Sequence, residues 1–248
     1  SSYIGILAIG ITFVLPTGRT DLSVGAIMYL SAASAALMIQ SGVSIVVALL
    51  ACIVIGVIYG CINAFFVVKV GIPPFVVTIG TMTAGRAIGL LMTHSEQIAM
   101  PAELVSSIGS SRLFGFLPYP VIIFAIVAAV ATIFLRMTTT GRQIYAIGYD
   151  MEAAKKGGIN VDRVGIIAYV LCGFFSALSA IVSVAQVGNV VPAFGEGYEF
   201  DAIAASVLGG TSLAGGIGSI FPGVIIGTTL IQMVEAGLVF LQVNLYIQ

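Results

Sequence analysis

Long apolar runs separated by short polar gaps set the pattern of this chain. Val43 to Val68 and Gly165 to Val187 are the clearest, each long enough for the ~20-residue helix that crosses a bilayer. On that ruler the chain predicts eight membrane segments, near residues 3–16, 22–40, 43–68, 73–93, 118–136, 164–187, 200–214 and 219–242. Backbone polar groups in lipid must be satisfied inside the element, so the choice is a helical bundle or a closed barrel. Barrel strands alternate apolar and polar residues over segments of about ten. The runs here are unbroken, and the predicted class is all-α: a polytopic transmembrane bundle forming a single domain over 1–248. Pro73-Pro74, Pro118 and Pro120 stand at segment entrances, where a missing N–H costs little.

Composition agrees with the pattern. Of 248 residues, 59% are hydrophobic and 8% charged, against roughly 25% charged in soluble domains; mean hydropathy is +1.17. The 30 glycines suit close helix–helix approach in lipid. Cys52, Cys61 and Cys172 lie within apolar runs without paired spacing, so neither a disulfide framework nor a metal site is expected. A net charge of −1 gives no basic patch for nucleic acid. Ser1 to Val14 is already apolar with no basic leader, and Asn244 to Gln248 carries no membrane-exit charge. The expectation is a further helix beyond each end, ten in all.

Lys and Arg set the orientation. Residues 136–163 hold Arg136, Arg142, Lys155, Lys156 and Arg163, which places them in the cytoplasm. Counting crossings back from there puts Lys69 and Arg19 inside as well. The connection from His94 to Pro118, with Glu96, Glu103 and Arg112, falls outside, as does Gly188 to Tyr198 with Glu196.

The cytoplasmic loop, about 137–163, contains a locally specified helix. Asp150 is a good N-cap, Met151-Glu152-Ala153-Ala154-Lys155-Lys156 are helix formers, and Gly157-Gly158 stop the run. Acid at its start and lysine at its end suit the helix dipole. Two readings are open on these grounds: a solvated connector that fixes topology, or a short rod that seats in another protein.

Three phrases then carry a resemblance. Gly141-Arg142-Gln143-Ile144-Tyr145-Ala146-Ile147-Gly148, with Glu152-Ala153-Ala154 and Gly158-Ile159-Asn160, resembles the coupling loop of ribose-type sugar ABC importer permeases. Asp150 stands where asparagine is usual there, and Gly157 where serine is common. Asp21-Leu22-Ser23-Val24-Gly25 is similar to a second phrase of that family, although Arg19-Thr20 replaces its Gly-Ile. The stretch from Gly197 through Asp201 and Leu208 to Gly216 resembles a third almost position by position. The resemblance implies that the loop docks on a separate ATP-hydrolysing subunit, through Gly141, Arg142, Gly148, Asp150, Glu152, Ala153, Ala154, Gly157 and Gly158. It also implies an external solute-binding protein, a second permease copy (identical or paralogous), and a bacterial cytoplasmic (inner) membrane location. ATP and Mg would then be cofactors of the ATPase chain, none of this one.

The polar residues within the apolar runs are candidates for the substrate path or the bundle interior: Asp21, Ser23, Arg86, Asp201, Thr211 and Ser212. Asp21 reads either as a cap for the helix starting at Leu22, paired with Arg19, or as a polar break lining the path. Arg86 lies inside an apolar helix, where insertion costs roughly 2.5–3.5 kcal/mol unless it faces protein or water. Its partners are Asp201, Glu235 or carbonyls at a broken helix, and Gly85 and Gly89 let a neighbour approach. From Phe200 to Gly218 the glycines preclude a simple span. A half-helix ending near Gly209 would aim Thr211 and Ser212 inward, at a polyol; the other reading is a tight helix crossing. Asn63 and Gln232 read as interhelical hydrogen-bonding amides, and His94 as a solvated loop residue.

No G-x-x-x-x-G-K-[ST] phosphate loop, catalytic triad or metal cluster occurs, so no catalysis is expected. The leading expectation is the permease subunit of an ATP-binding-cassette importer for a sugar or sugar-like solute. The alternative is an ion-coupled secondary transporter or channel for a small polar solute.

Overall fold

The computed structural model describes residues 2–113 and 115–241. It is 77% helical, and the helices run α1 Ser2–Val14, α2 Val24–Gln40, α3 Ile45–Ala64, α4 Pro74–Thr93, α5 Ala102–Leu104, α6 Tyr119–Met137, α7 Thr139–Tyr149, α8 Met151–Lys156, α9 Val161–Val187, α10 Tyr198–Leu208 and α11 Ile225–Phe240. Two-residue strands β1 (Ile98–Ala99), β2 (Arg112–Leu113), β3 (Leu117–Pro118) and β4 (Asn189–Val190) lie in the connections. Among the described residues, five helical stretches are long and apolar enough to cross a membrane: Ile45–Val70, α4, α6, α9 and Ile220–Phe240. The apolar stretches Ser2–Thr17 and Val24–Gln40 are shorter. Each of the eight predicted segments holds a helix, and residues 242–248, including Asn244 to Gln248, lie outside the described residues.

Caps and stops explain most helix ends. Ser44 Oγ accepts from Val47 N at the start of α3 (3.5 Å), and Asn160 Oδ1 accepts from Arg163 N at the start of α9 (2.9 Å). Gly188, at φ +79°, closes α9 in the left-handed conformation that costs glycine little. His94 ends α4 at φ +52° and is exposed, as a loop residue should be.

The core is built around α9 and α1. In α9, 67% of the spanning window is buried, against 22% to 28% in the other long spans. Small residues permit this: a side chain on Gly173 of α9 would collide with the carbonyl of Gly56 on α3. The outer helices instead expose apolar stripes. Val46, Leu50, Val54 and Ile58 recur at four-residue spacing along α3, each more than half exposed. Such a stripe would be unfavourable in water and is neutral against hydrocarbon.

The connections grouped by charge meet in space. On the face assigned outside, β1 and β4 pair antiparallel, joining the 94–118 connection to 188–197. On the face assigned inside, Lys69 Nζ lies 2.9 Å from Asp162 Oδ2, joining the exit of α3 to the entry of α9.

The seventh segment is a half-helix that ends at Leu208, before Gly209 and Gly210, as expected, and 209–219 is irregular, so the helix stops short of 214. One expectation needs correction: the loop at 137–163 holds two helices where one was expected. Residues Thr139–Tyr149 form α7, capped by Thr138 Oγ1 on Gly141 N at 3.0 Å. Its helical period, with Ile144 and Ile147 buried, was obscured by the glycines at 141 and 148.

Candidate functional site: an internal break and a cytoplasmic arm

The deepest polar cluster forms where the α1–α2 turn enters the bundle. Asp21 is fully buried, and its Oδ1 accepts from Ser23 N at 2.9 Å and Ser23 Oγ at 2.6 Å. Asn63 of α3 donates to Ser23 Oγ at 2.7 Å and Asp21 Oδ2 at 3.4 Å, and its Oδ1 accepts from Thr81 Oγ1 of α4 at 2.8 Å. Tyr59 Oη donates to the Thr81 carbonyl, and Tyr169 Oη of α9 to the Thr20 carbonyl at 3.0 Å. The cluster ties four helices together at the bundle interior. Asp21 was expected to cap a helix starting at Leu22, but α2 starts at Val24 with Ser23 at its N-cap; Asp21 closes the turn before it, and its partners are Ser23 and Asn63 and not Arg19, which lies against α9. Asn63 is an interhelical amide. Gln232 is not: it donates to Glu235 Oε2 three residues along α11, at 2.6 Å.

A second polar centre lies beside the connection that carries β4. Arg86 Nη1 donates to the carbonyls of Pro192 (3.4 Å) and Phe194 (3.5 Å), and its guanidinium stands 5.6 Å above the Tyr29 ring. Of the three partners foreseen for Arg86, backbone carbonyls at a broken helix are the observed one. Asp201 and Glu235 accept nothing from it; both are half-buried on the packed helices α10 and α11. Gly85 and Gly89 make room for the Tyr59 and Tyr29 rings.

Between β4 and α10 the chain folds back into the bundle. Gly195 meets Gly25 of α2 backbone to backbone, with Gly195 at φ +74° and Gly197 at φ +83°. Glu199, 6% exposed, sits beside Gly25 in the first turn of α10, and its Oε2 has no partner among the described residues. Irregular backbone therefore flanks α10 on both sides, before Tyr198 and from Gly209 onward. Thr211 and Ser212 lie in the second stretch, at the end of the bundle that meets α7. Thr211 is buried with its hydroxyl unpartnered, and Ser212 Oγ accepts from Ala214 N at 3.1 Å. Gly216 N there donates to the Pro16 carbonyl at 2.9 Å.

The cytoplasmic arm sorts its own candidates. Gly141 packs against the Leu135 backbone, and Gly148 is wedged against the Pro16 carbonyl and Gly216. Tyr145 Oη donates to the Gly218 carbonyl at 3.0 Å. Gly141, Gly148 and the buried Ala154 thus fasten the arm to its own bundle. Arg142, Asp150, Glu152, Ala153, Gly157 and Gly158 are exposed. Asp150 Oδ1 accepts from Ala153 N at 2.9 Å, and Gly158 at φ +84° follows the last turn, so α8 is capped and stopped as the sequence predicts.

A family model described as "branched-chain amino acid transport system / permease component" matches residues 1–248. The chain belongs to that permease family, among its ribose-type ABC importer members. The ribose import permease protein RbsC of Escherichia coli (strain K12) is 38% identical over 247 residues, 98% of this chain and 76% of that protein. The galactofuranose transporter permease protein YtfT of the same strain is 36% identical over 236 residues, 95% and 69%. The autoinducer 2 import system permease protein LsrC of Yersinia pseudotuberculosis serotype O:3 (strain YPIII) is 35% identical over 238 residues, 96% and 67%. No solved structure matches.

As a multi-pass membrane permease, the chain concentrates its irregular backbone at 189–197 and 209–219, where it is packed against protein as lipid demands. Sequence reasoning missed Glu199 and Thr81 as interior polar residues. An acid two positions after a helix-breaking glycine, in an apolar stretch, was the available signal for Glu199. Thr81 carried none, since a threonine in an apolar helix usually bonds its own preceding turn.

Proposed function

We propose that this chain is the membrane-spanning subunit of an ABC importer that moves a sugar or sugar-like solute into the cytoplasm. A separate ATPase chain, carrying ATP and Mg, supplies the energy, and a binding protein outside the bacterial cytoplasmic membrane delivers the solute. Two permease copies would rock against each other to alternate access. The observation that carries this is α8: a capped, two-turn helix too polar for lipid, exposed on the Lys- and Arg-rich face and braced from behind by α7. The named relatives transport ribose, galactofuranose or autoinducer 2. The interior polar groups are hydroxyls, amides and carbonyls more than free charges, which suits a neutral polyol.

The two buried carboxylates, Asp21 and Glu199, favour a second reading, an ion-coupled transporter. Asp21 is already held by Ser23 and Asn63, which weakens that reading.

Deleting Asp150–Gly158, or changing Glu152→Lys, should strip the coexpressed ATPase subunit from purified permease and abolish ATP-dependent uptake in proteoliposomes. Uptake that persists in the deletion without ATP, and collapses with a protonophore, would overturn the importer reading in favour of the second.

A further inference from the structure

Beneath α8 lies a polar cleft of about 650 Å³, lined by Arg19, Met151, Glu152, Lys155, Asn160 and Asp162 among others. Its floor is Arg19, on the turn between α1 and α2. The guanidinium lies against α9 at Gly165, where any side chain would collide with Nη1. That nitrogen is buried and has no acceptor among the described residues. Of the two acids of the lining, Asp162 forms its ion pair with Lys69, and Glu152 stands on α8. Nη1 is enclosed, so an incoming carboxylate would meet the Nε and Nη2 edge of the guanidinium and offset the partly desolvated charge as a whole. Lys155 adds a second positive group at the rim.

We propose that this cleft receives an acidic side chain of the ATPase subunit, with Arg19 as the residue that binds it. The inference rests on the reading of α8 as the ATPase contact and adds to it a second, charge-specific contact on a different element. This contact also gives docking a direct line inward. Thr20 accepts the hydrogen bond of Tyr169, and Asp21 opens the cluster that joins α2, α3 and α4. A load on Arg19 is thereby applied within two residues of the bundle interior.

The test measures ATPase subunit retained per permease, over rising NaCl, for the wild-type complex, Arg19→Gln, Arg19→Lys and the Asp150–Gly158 deletion. Arg19→Gln should weaken association about tenfold and flatten its salt dependence. Arg19→Lys should fall between, because lysine keeps the charge and loses the fork. Should Arg19→Gln fail to fold, Arg19→Lys and Lys155→Gln carry the same comparison. Wild-type retention and salt profile in these variants, with the ATPase lost from the deletion, would overturn the cleft assignment and leave the importer reading standing. Retention unchanged even in the deletion would overturn both. Loss of bound phosphatidylglycerol from nanodiscs, with ATPase retention intact, would assign the cleft to a lipid headgroup and overturn the proposal.

Discussion

The cytoplasmic arm of α7 and α8 and the internal break from Asn189 to Gly197 use the same materials, glycines and short polar groups, and are held in opposite ways. In the arm, the decisive bonds are local. Asp150 caps α8 three residues on, and Thr138 caps α7 three residues on. In the break, the decisive bonds are remote. Arg86 reaches carbonyls 106 and 108 positions away, and Gly195 depends on a glycine in α2. Each arm helix is therefore specified by its own residues, although Gly148 and Tyr145 fasten α7 to the bundle. The break exists only while the helices around it keep their places.

Substitutions can break this contrast, beginning where remote packing is tightest. Gly173→Leu drives a side chain into the Gly56 carbonyl at the α3–α9 crossing. It should cost about 3 kcal/mol, read as loss of monodisperse permease and a lower melting temperature in detergent. Asn63→Leu removes the amide joining Ser23 to Thr81. It should cost about 1 to 2 kcal/mol and reduce uptake, while the coexpressed ATPase still copurifies. Loss of the ATPase in that variant would show that the two regions are not independent. Asp150→Ala should have the smallest effect, about 1 kcal/mol confined to α8. It should lower ATPase retention severalfold and leave the melting temperature of the bundle unchanged. A drop in that melting temperature would mean that the arm is part of the core.

Most of the fold was legible in the sequence because each membrane segment announces itself by a property of consecutive residues. The proposed orientation also rests on neighbouring residues, since Arg136 to Arg163 concentrates its charges in one loop. α7 escaped because Gly141 and Gly148 look like helix breakers. In the bundle they are contact points that put the α7 backbone against Leu135, Pro16 and Gly216. The interior polar residues were legible as a set and not as a network. Asp21 and Arg86 were identifiable as needing partners, since neither can be left bare in lipid. Arg19 seemed a partner for Asp21 by proximity, yet its guanidinium lies on α9 and the partner comes from 42 positions away, at Asn63.

Residues near one another in the chain determined the membrane segments and the capped and stopped helix α8. Each of those follows from hydropathy or a hydrogen bond spanning a few residues. Tertiary structure alone decided that Gly195 meets Gly25, that Glu199 is enclosed beside it, and that backbone carbonyls receive Arg86. A buried polar group accepts whichever partner the packing brings to it, and packing joins residues by shape across the bundle rather than by their order along the chain.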